Sequence, residues 1–164
     1  MSRADASGRR RAREAALQML YQCEVGRASP HEAIATYWPA HDPDHALDPP
    51  LRDFANTLVR GAIARVTEID ALLTAHAQNW RVERMAAIDR LVLRLAVFEL
   101  LAEPGTPAKV VINEAIELVR SYTGDEAVGF VNGILDAVRK NLGRDGDTAG
   151  AKRERPRDTE KGKA

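Results

Sequence analysis

The sequence predicts an all-α fold, and three observations carry that prediction. Alanine and leucine lead an apolar fraction of 45%, while aromatic residues make up only 5%, a composition that favours helix over strand. Apolar residues recur at helical spacing in one segment after another. Helix start and stop signals bound those segments at Gly26, Ser29-Pro30, Pro49-Pro50, Pro104-Gly105 and Gly124. About six to seven helices follow.

The first helix is expected from about Arg9 to Val25. Ala16, Leu20 and Cys23, with Leu17 and Tyr21 beside them, make one apolar face. Gly26 is read as the left-handed residue that ends it. Ser29-Pro30-His31-Glu32 combines a serine cap, a proline at the first helical position and a glutamate that closes a capping box. The second helix should stop near Trp38, because Pro39 follows. Residues 39–50 read as loop, rich in Pro and Asp. A third helix starts near Pro49 or Pro50 behind an Asp48 cap, and its stripe of Leu51, Phe54, Leu58, Val59, Ala62 and Val66 continues through Ile69, Leu73, His76 and Trp80. That stripe fits one long helix or two with a bend.

The fourth helix, about Arg84 to Ala102, is apolar nearly all round apart from Asp89, Arg90, Arg94 and Glu99. Such a helix belongs in the middle of a bundle. The fifth places Val111, Ala115, Leu118, Val119 and Tyr122 on a buried stripe and ends at Gly124. Asp125 is read as the cap of the sixth, whose stripe is Val128, Val131, Leu135, Val138 and Leu142. Gly129 and Gly133 lie four apart on that helix, where each costs about 1 kcal/mol against alanine. Close approach of another backbone or of a ligand would offset the loss.

Composition excludes several classes. A single cysteine, Cys23, rules out a disulfide within the chain and a multi-thiolate zinc site, and fits a reducing compartment. No window reaches the ~20 apolar residues of a membrane helix, and the N-terminus lacks the pattern of a secretory signal. The net charge of zero hides an asymmetry. Residues 1–13 carry five arginines against one aspartate, the segment from Gly143 carries a surplus of two cations, and the body between is −6. A basic arm on an acidic body suggests partners of opposite charge, RNA phosphates for the arm and a basic protein for the body.

Arg9, Arg10, Arg11 and Arg13 fall where the helix is expected to begin, and there they oppose its dipole. An anionic ligand would offset that cost, and the guanidinium fork suits phosphate. The alternative is a solvated basic terminus. His41-Asp42-Pro43-Asp44-His45 reads as a solvated turn rather than a metal loop, and Cys23 as a buried, inert thiol. Phe130 lies off the Val128–Val131–Leu135 stripe. It either completes the core or stacks on a base. Glycine-rich phosphate loops, His-Glu-x-x-His and nucleophile elbows are absent from the sequence.

The strings RRRAREAALQMLYQCE, IDRLVLRLAVFELL, INEAIELVRSY and FVNGILDAV, in this order and spacing, resemble the NusB family of bacterial transcription antitermination factors. The resemblance covers about residues 9–142, with a flexible N-terminus at 1–8 and a disordered charged tail at 143–164 outside it. It implies a compact helical bundle of two packed helical subdomains, each built around a three-helix unit. It also implies a cytoplasmic, non-catalytic protein without cofactor or metal. Such a protein binds the boxA element of ribosomal RNA leader transcripts together with the small-subunit ribosomal protein NusE. That complex joins NusA, NusG and RNA polymerase, suppresses premature termination and aids ribosomal RNA maturation. A NusB-like domain also opens certain ribosomal RNA cytosine methyltransferases, but the residues after 142 are too few for their catalytic domain.

Residue by residue, the resemblance assigns phosphate contacts to Arg9, Arg10, Arg11 and Arg13 and base stacking to Phe130. The family's acid four positions before that phenylalanine falls on Glu126, where the best-known member has aspartate. The usual serine after it is Ala127, and Gly129 replaces a polar residue, so this edge is leaner. Tyr21, Glu83 and Asp89 match the positions that meet NusE.

Overall fold

The computed structural model describes residues 2–78 and 82–144. Trp80 and the tail from residue 145 onward lie outside them. All regular elements among the described residues are helical.

Helix α1 runs Arg3–Val25, six residues earlier than expected. The reason is a capping box. The Ser2 hydroxyl accepts from the Asp5 amide, and the Asp5 carboxylate accepts from the Ser2 amide. Residues 3–8 are therefore the first turns of α1, and Gly8 lets them lie against Leu51. The stop also differs. Gly26 has an ordinary φ of −81°, and the left-handed residue is Arg27 at +55°. Glycine is required at 26 for room, since a Cβ there would sit 2.7 Å from the Gln22 carbonyl oxygen.

Helix α2, Pro30–His41, opens on the expected Ser29–Glu32 box but carries Pro39 inside its last turn. Proline so near the end forfeits a single helical bond, and the Asp42 amide still closes onto the Trp38 carbonyl at 2.9 Å. The third stripe is two helices, α3 (Pro49–Ala64) and α4 (Val66–His76), broken at Arg65. Asp48 precedes α3 without a side-chain cap. A 3-10 turn at Val82–Arg84 leads into α5, Ala87–Ala102. Helix α6 spans Ala108–Thr123 and ends at Gly124, whose φ of +90° favours glycine. A 3-10 turn at Asp125–Ala127 then enters α7, Val128–Asn141.

Helices α1, α2 and α3 form one unit, and α5, α6 and α7 form a second with α4 against it. The units share one core, because α1 and α3 both pack on α5. Leu17, Met19, Leu58, Val59, Leu93, Val97 and Leu100 lie at its centre. Helix α5 is buried on nearly every side, as its sequence requires. Two residues placed on buried stripes are instead exposed, Tyr21 at 42% and Tyr122 at 39%. Gly143 and Arg144 are placed as well, with Arg144 donating to the Leu100 and Thr106 carbonyls.

Gly61 of α3 lies directly against the Phe98 ring of α5. An added Cβ would sit 1.9 Å from the ring carbon Cζ. Gly61→Ala is therefore expected to destabilise the protein by about 1–3 kcal/mol through overpacking, read from the urea midpoint. A variant as stable as the parent would show that α3 can move off α5.

Candidate nucleic-acid interface

One turn of α1 disposes its arginines on different sides, because successive residues are 100° apart. Arg13 points into the core. It donates two bonds to Glu99 of α5, at 2.9 and 2.5 Å, and the two residues are 5% and 2% exposed. Arg9 is half-buried. Its guanidinium lies 4.0 Å from the centre of the Phe54 ring and donates to the Thr106 hydroxyl. Arg10 spans to α6 with a bidentate pair to Glu114 at 2.9 and 3.0 Å, yet its side chain is 56% exposed. Arg11 faces solvent with no hydrogen bond or ion pair among the described residues.

These positions correct two expectations. Since α1 begins at Arg3, the four arginines lie beyond its first turn, where the dipole argument no longer applies. Arg13 is a structural cation, so its guanidinium is closed to phosphate while Glu99 holds it. Arg10 and Arg11 remain as the accessible cations, with Arg9 beside them.

A hydrogen-bonded relay crosses the open side of α1. Tyr37 of α2 donates to the Gln18 side-chain oxygen at 2.6 Å, and the Gln18 amide donates to the Tyr122 hydroxyl at 2.9 Å. Tyr122 in turn donates to Glu14 at 3.2 Å. The relay needs neutral phenols. Burial pushes the Tyr37 hydroxyl up to about 12, and burial also raises Tyr122.

Glu126 is exposed at the 3-10 turn before α7, four positions ahead of Phe130. Asp125 does not cap α7; it pairs with Arg120 at 3.0 Å. Phe130 is partly buried and packs against the core. Among the described residues, Gly129 and Gly133 meet no other atoms within 4 Å of an ideal Cβ. No backbone among the described residues makes the close approach expected of these glycines, so they leave an exposed strip on α7.

Arg90 of α5 bonds to the elements that carry Tyr21 and Glu83, and Asp89 precedes it in the chain. Its guanidinium pairs with Glu24, one turn beyond Tyr21, and donates to the Val82 and Met85 carbonyls flanking Glu83. Asp89 accepts from the Thr123 hydroxyl at 2.9 Å. Tyr21 and Glu83 are exposed and Asp89 half-exposed. Arg94, also on α5, pairs with Asp70.

Asp42 is buried rather than solvated, accepting from the Ala46 and Leu47 amides and from Arg52. Among the described residues no group of three His, Cys, Asp or Glu is placed to hold a metal. Burial raises the Cys23 thiol, the opposite of activation. No helix among them is long and apolar enough to cross a membrane.

The sequence model of the NusB family matches residues 10–140. The chain belongs to the NusB family. It is 46% identical over 136 residues to the transcription antitermination protein NusB of Myxococcus xanthus, covering 83% of this chain and 97% of that one. Against NusB of Bacillus velezensis the identity is 40% over 135 residues, covering 82% and 97%. The fold matches NusB of T. maritima with a TM-score of 0.70 and 37% identity, over 80% of this chain and 90% of that one. It also matches a crystal structure of antitermination factors NusB and NusE in complex with dsRNA, with a TM-score of 0.73 and 27% identity, over 82% and 98%. NusB proteins are antitermination factors and not enzymes.

Sequence reasoning missed the relay and the role of Arg90. One signal was available for the buried pair. A lone acid such as Glu99 deep in an apolar helix needs a cation, and the first helix is where arginines cluster.

Two measurements follow. Glu99→Ala strands the Arg13 charge and is expected to cost about 3–5 kcal/mol in urea unfolding, whereas Arg13→Met with Glu99→Leu together should recover most of that loss. The Tyr37 phenol sits above its unfolded value of ~10, so its contribution is complete below pH 10 and is lost as pH rises towards about 12. The stability advantage of the parent over Tyr37→Phe should shrink across that window. A constant difference would mean Tyr37 ionises as in the unfolded chain.

Proposed function

We propose that this protein is a cytoplasmic antitermination factor that binds the boxA element of ribosomal RNA leader transcripts as a heterodimer with NusE. In this reading it acts with NusA, NusG and RNA polymerase to suppress premature termination and to aid ribosomal RNA maturation. The observation that carries the reading is the similarity, over 82% of the chain, to a NusB–NusE complex with RNA, together with open cations on α1.

Arg10 and Arg11 hold phosphates, and Arg9 adds its partly exposed guanidinium. Arg13 serves the site from behind, by fixing α1 against α5. Phe130 stacks on a base, and Glu126, four positions earlier, serves as a hydrogen-bond acceptor. Gly129 leaves room beside that ring, where the family resemblance implies a polar residue. On the other side Tyr21, Glu83 and Asp89 present an aromatic and two carboxylates to a basic partner, and Arg90 keeps the three elements together.

The experiment is fluorescence anisotropy of labelled boxA RNA, with and without NusE, at several salt concentrations. NusE should tighten binding, and a scrambled RNA should bind more weakly. Arg10→Ala with Arg11→Ala should weaken binding at least tenfold and reduce the slope of log K against log salt by about 1.4, since each neutralised phosphate on a single strand contributes about 0.7. Phe130→Ala should weaken binding with the slope unchanged, as stacking requires. Affinity indifferent to both the RNA sequence and NusE would overturn the assignment.

A further inference from the structure

A polar cavity of about 260 Å³ opens between α1 and α2, away from Phe130 on α7. Arg11, Glu14 and Gln18 line it from α1, and Tyr37 and His41 from α2. Its features suit an unpaired nucleotide.

The first is a stacking platform. The His41 ring lies flat on the Tyr37 ring, with centroids 4.2 Å apart and planes 9° apart. Trp38 packs edge-on against Tyr37 and is anchored by its indole N–H to Asn56. The platform is rigid, because the His41 Nδ1–H donates to the Tyr37 carbonyl at 3.0 Å. Tyr37 is buried and His41 is exposed, so the stack ends in one open aromatic face. Single-stranded RNA is read by such faces.

The second is a free cation at the rim. Arg11 has no ion pair or hydrogen bond among the described residues, unlike Arg10 and Arg13 on the same helix. The third is a free acceptor. Glu14 accepts from the Tyr122 hydroxyl through one oxygen, and its other oxygen has no partner among the described residues. A carboxylate in such a place selects an amino group, as it does with the cytosine N4 amine. Platform, cation and acceptor are the three contacts one nucleotide offers, through its face, its phosphate and its edge.

We propose that this cavity is a nucleotide subsite in which an unpaired base bearing an exocyclic amine stacks on His41, gives its amine to Glu14 and sets its phosphate on Arg11. The subsite rests on the RNA-binding reading above and extends it to α2, an element which that reading leaves unused.

The test uses the full chain with NusE and boxA RNAs that each carry 2-aminopurine at one position. One position should be quenched on binding to the parent, and the same position should brighten with His41→Ala. That variant should lose roughly fivefold or more in affinity, the low end for one stacked base, and His41→Phe should restore it. Glu14→Gln leaves the platform intact and should narrow the preference for cytosine over uracil at that position. Circular dichroism confirms that each variant is folded. The subsite is overturned if folded His41→Ala and Glu14→Gln both bind within twofold of the parent with an unchanged quenching pattern, while Arg10→Ala with Arg11→Ala still weakens binding. If the parent itself fails to bind boxA RNA, the proposed function falls and the subsite with it.

Discussion

The buried pair between Arg13 and Glu99 ties the first three-helix unit to the second. Both ions are almost wholly removed from water, which is expensive unless each is fully satisfied. Two parallel hydrogen bonds meet that condition. A bidentate fork also tolerates little sliding or rotation of α1 along α5. The pair therefore acts as a register pin for α1 inside a core made mostly of aliphatic contacts. Everything on the surface of α1 inherits its direction from that pin.

Once Arg13 points inward, helical geometry sends its neighbours elsewhere. Arg9 turns to Phe54 and the α5–α6 connection, Arg10 to α6, and Arg11 towards α2. What reads as a single basic cluster becomes four cations with four environments. One is consumed by the core, one is half-covered by an aromatic ring, one is shared with a carboxylate, and one is open. The charge available to an anionic ligand is thus smaller than a count of arginines suggests, and it is better placed.

The far end of α1 is organised by a second arginine. Arg90 reaches Glu24 and two carbonyls of the 3-10 turn, so three short segments meet at one guanidinium. Lysine could not make those bonds in one plane. The proposed partner face and the proposed RNA face lie on opposite stretches of the same helix, linked by the Gln18 relay between them.

Much of the fold was legible in the chain because its signals are local. Periodicity marks α3 to α7, and the Ser29–Glu32 box marks α2, since both depend on residues within one or two turns. The start of α1 was missed because a weak alanine- and glycine-containing segment is carried by its Ser2–Asp5 cap and by packing on Leu51. Pro39 was misplaced because its cost falls where a helix has few bonds left to lose. Tyr21 and Tyr122 share a helical stripe with buried residues, and spacing alone does not tell the edge of a stripe from its centre. The sequence by itself determined the helical class, the order of the elements and the family. Only the tertiary structure decided which arginine is buried, which carboxylate it meets and which aromatic rings stay open. Those outcomes depend on pairs separated by tens of residues in the chain, such as Arg13 with Glu99 and Gln18 with Tyr122, and no local pattern encodes them.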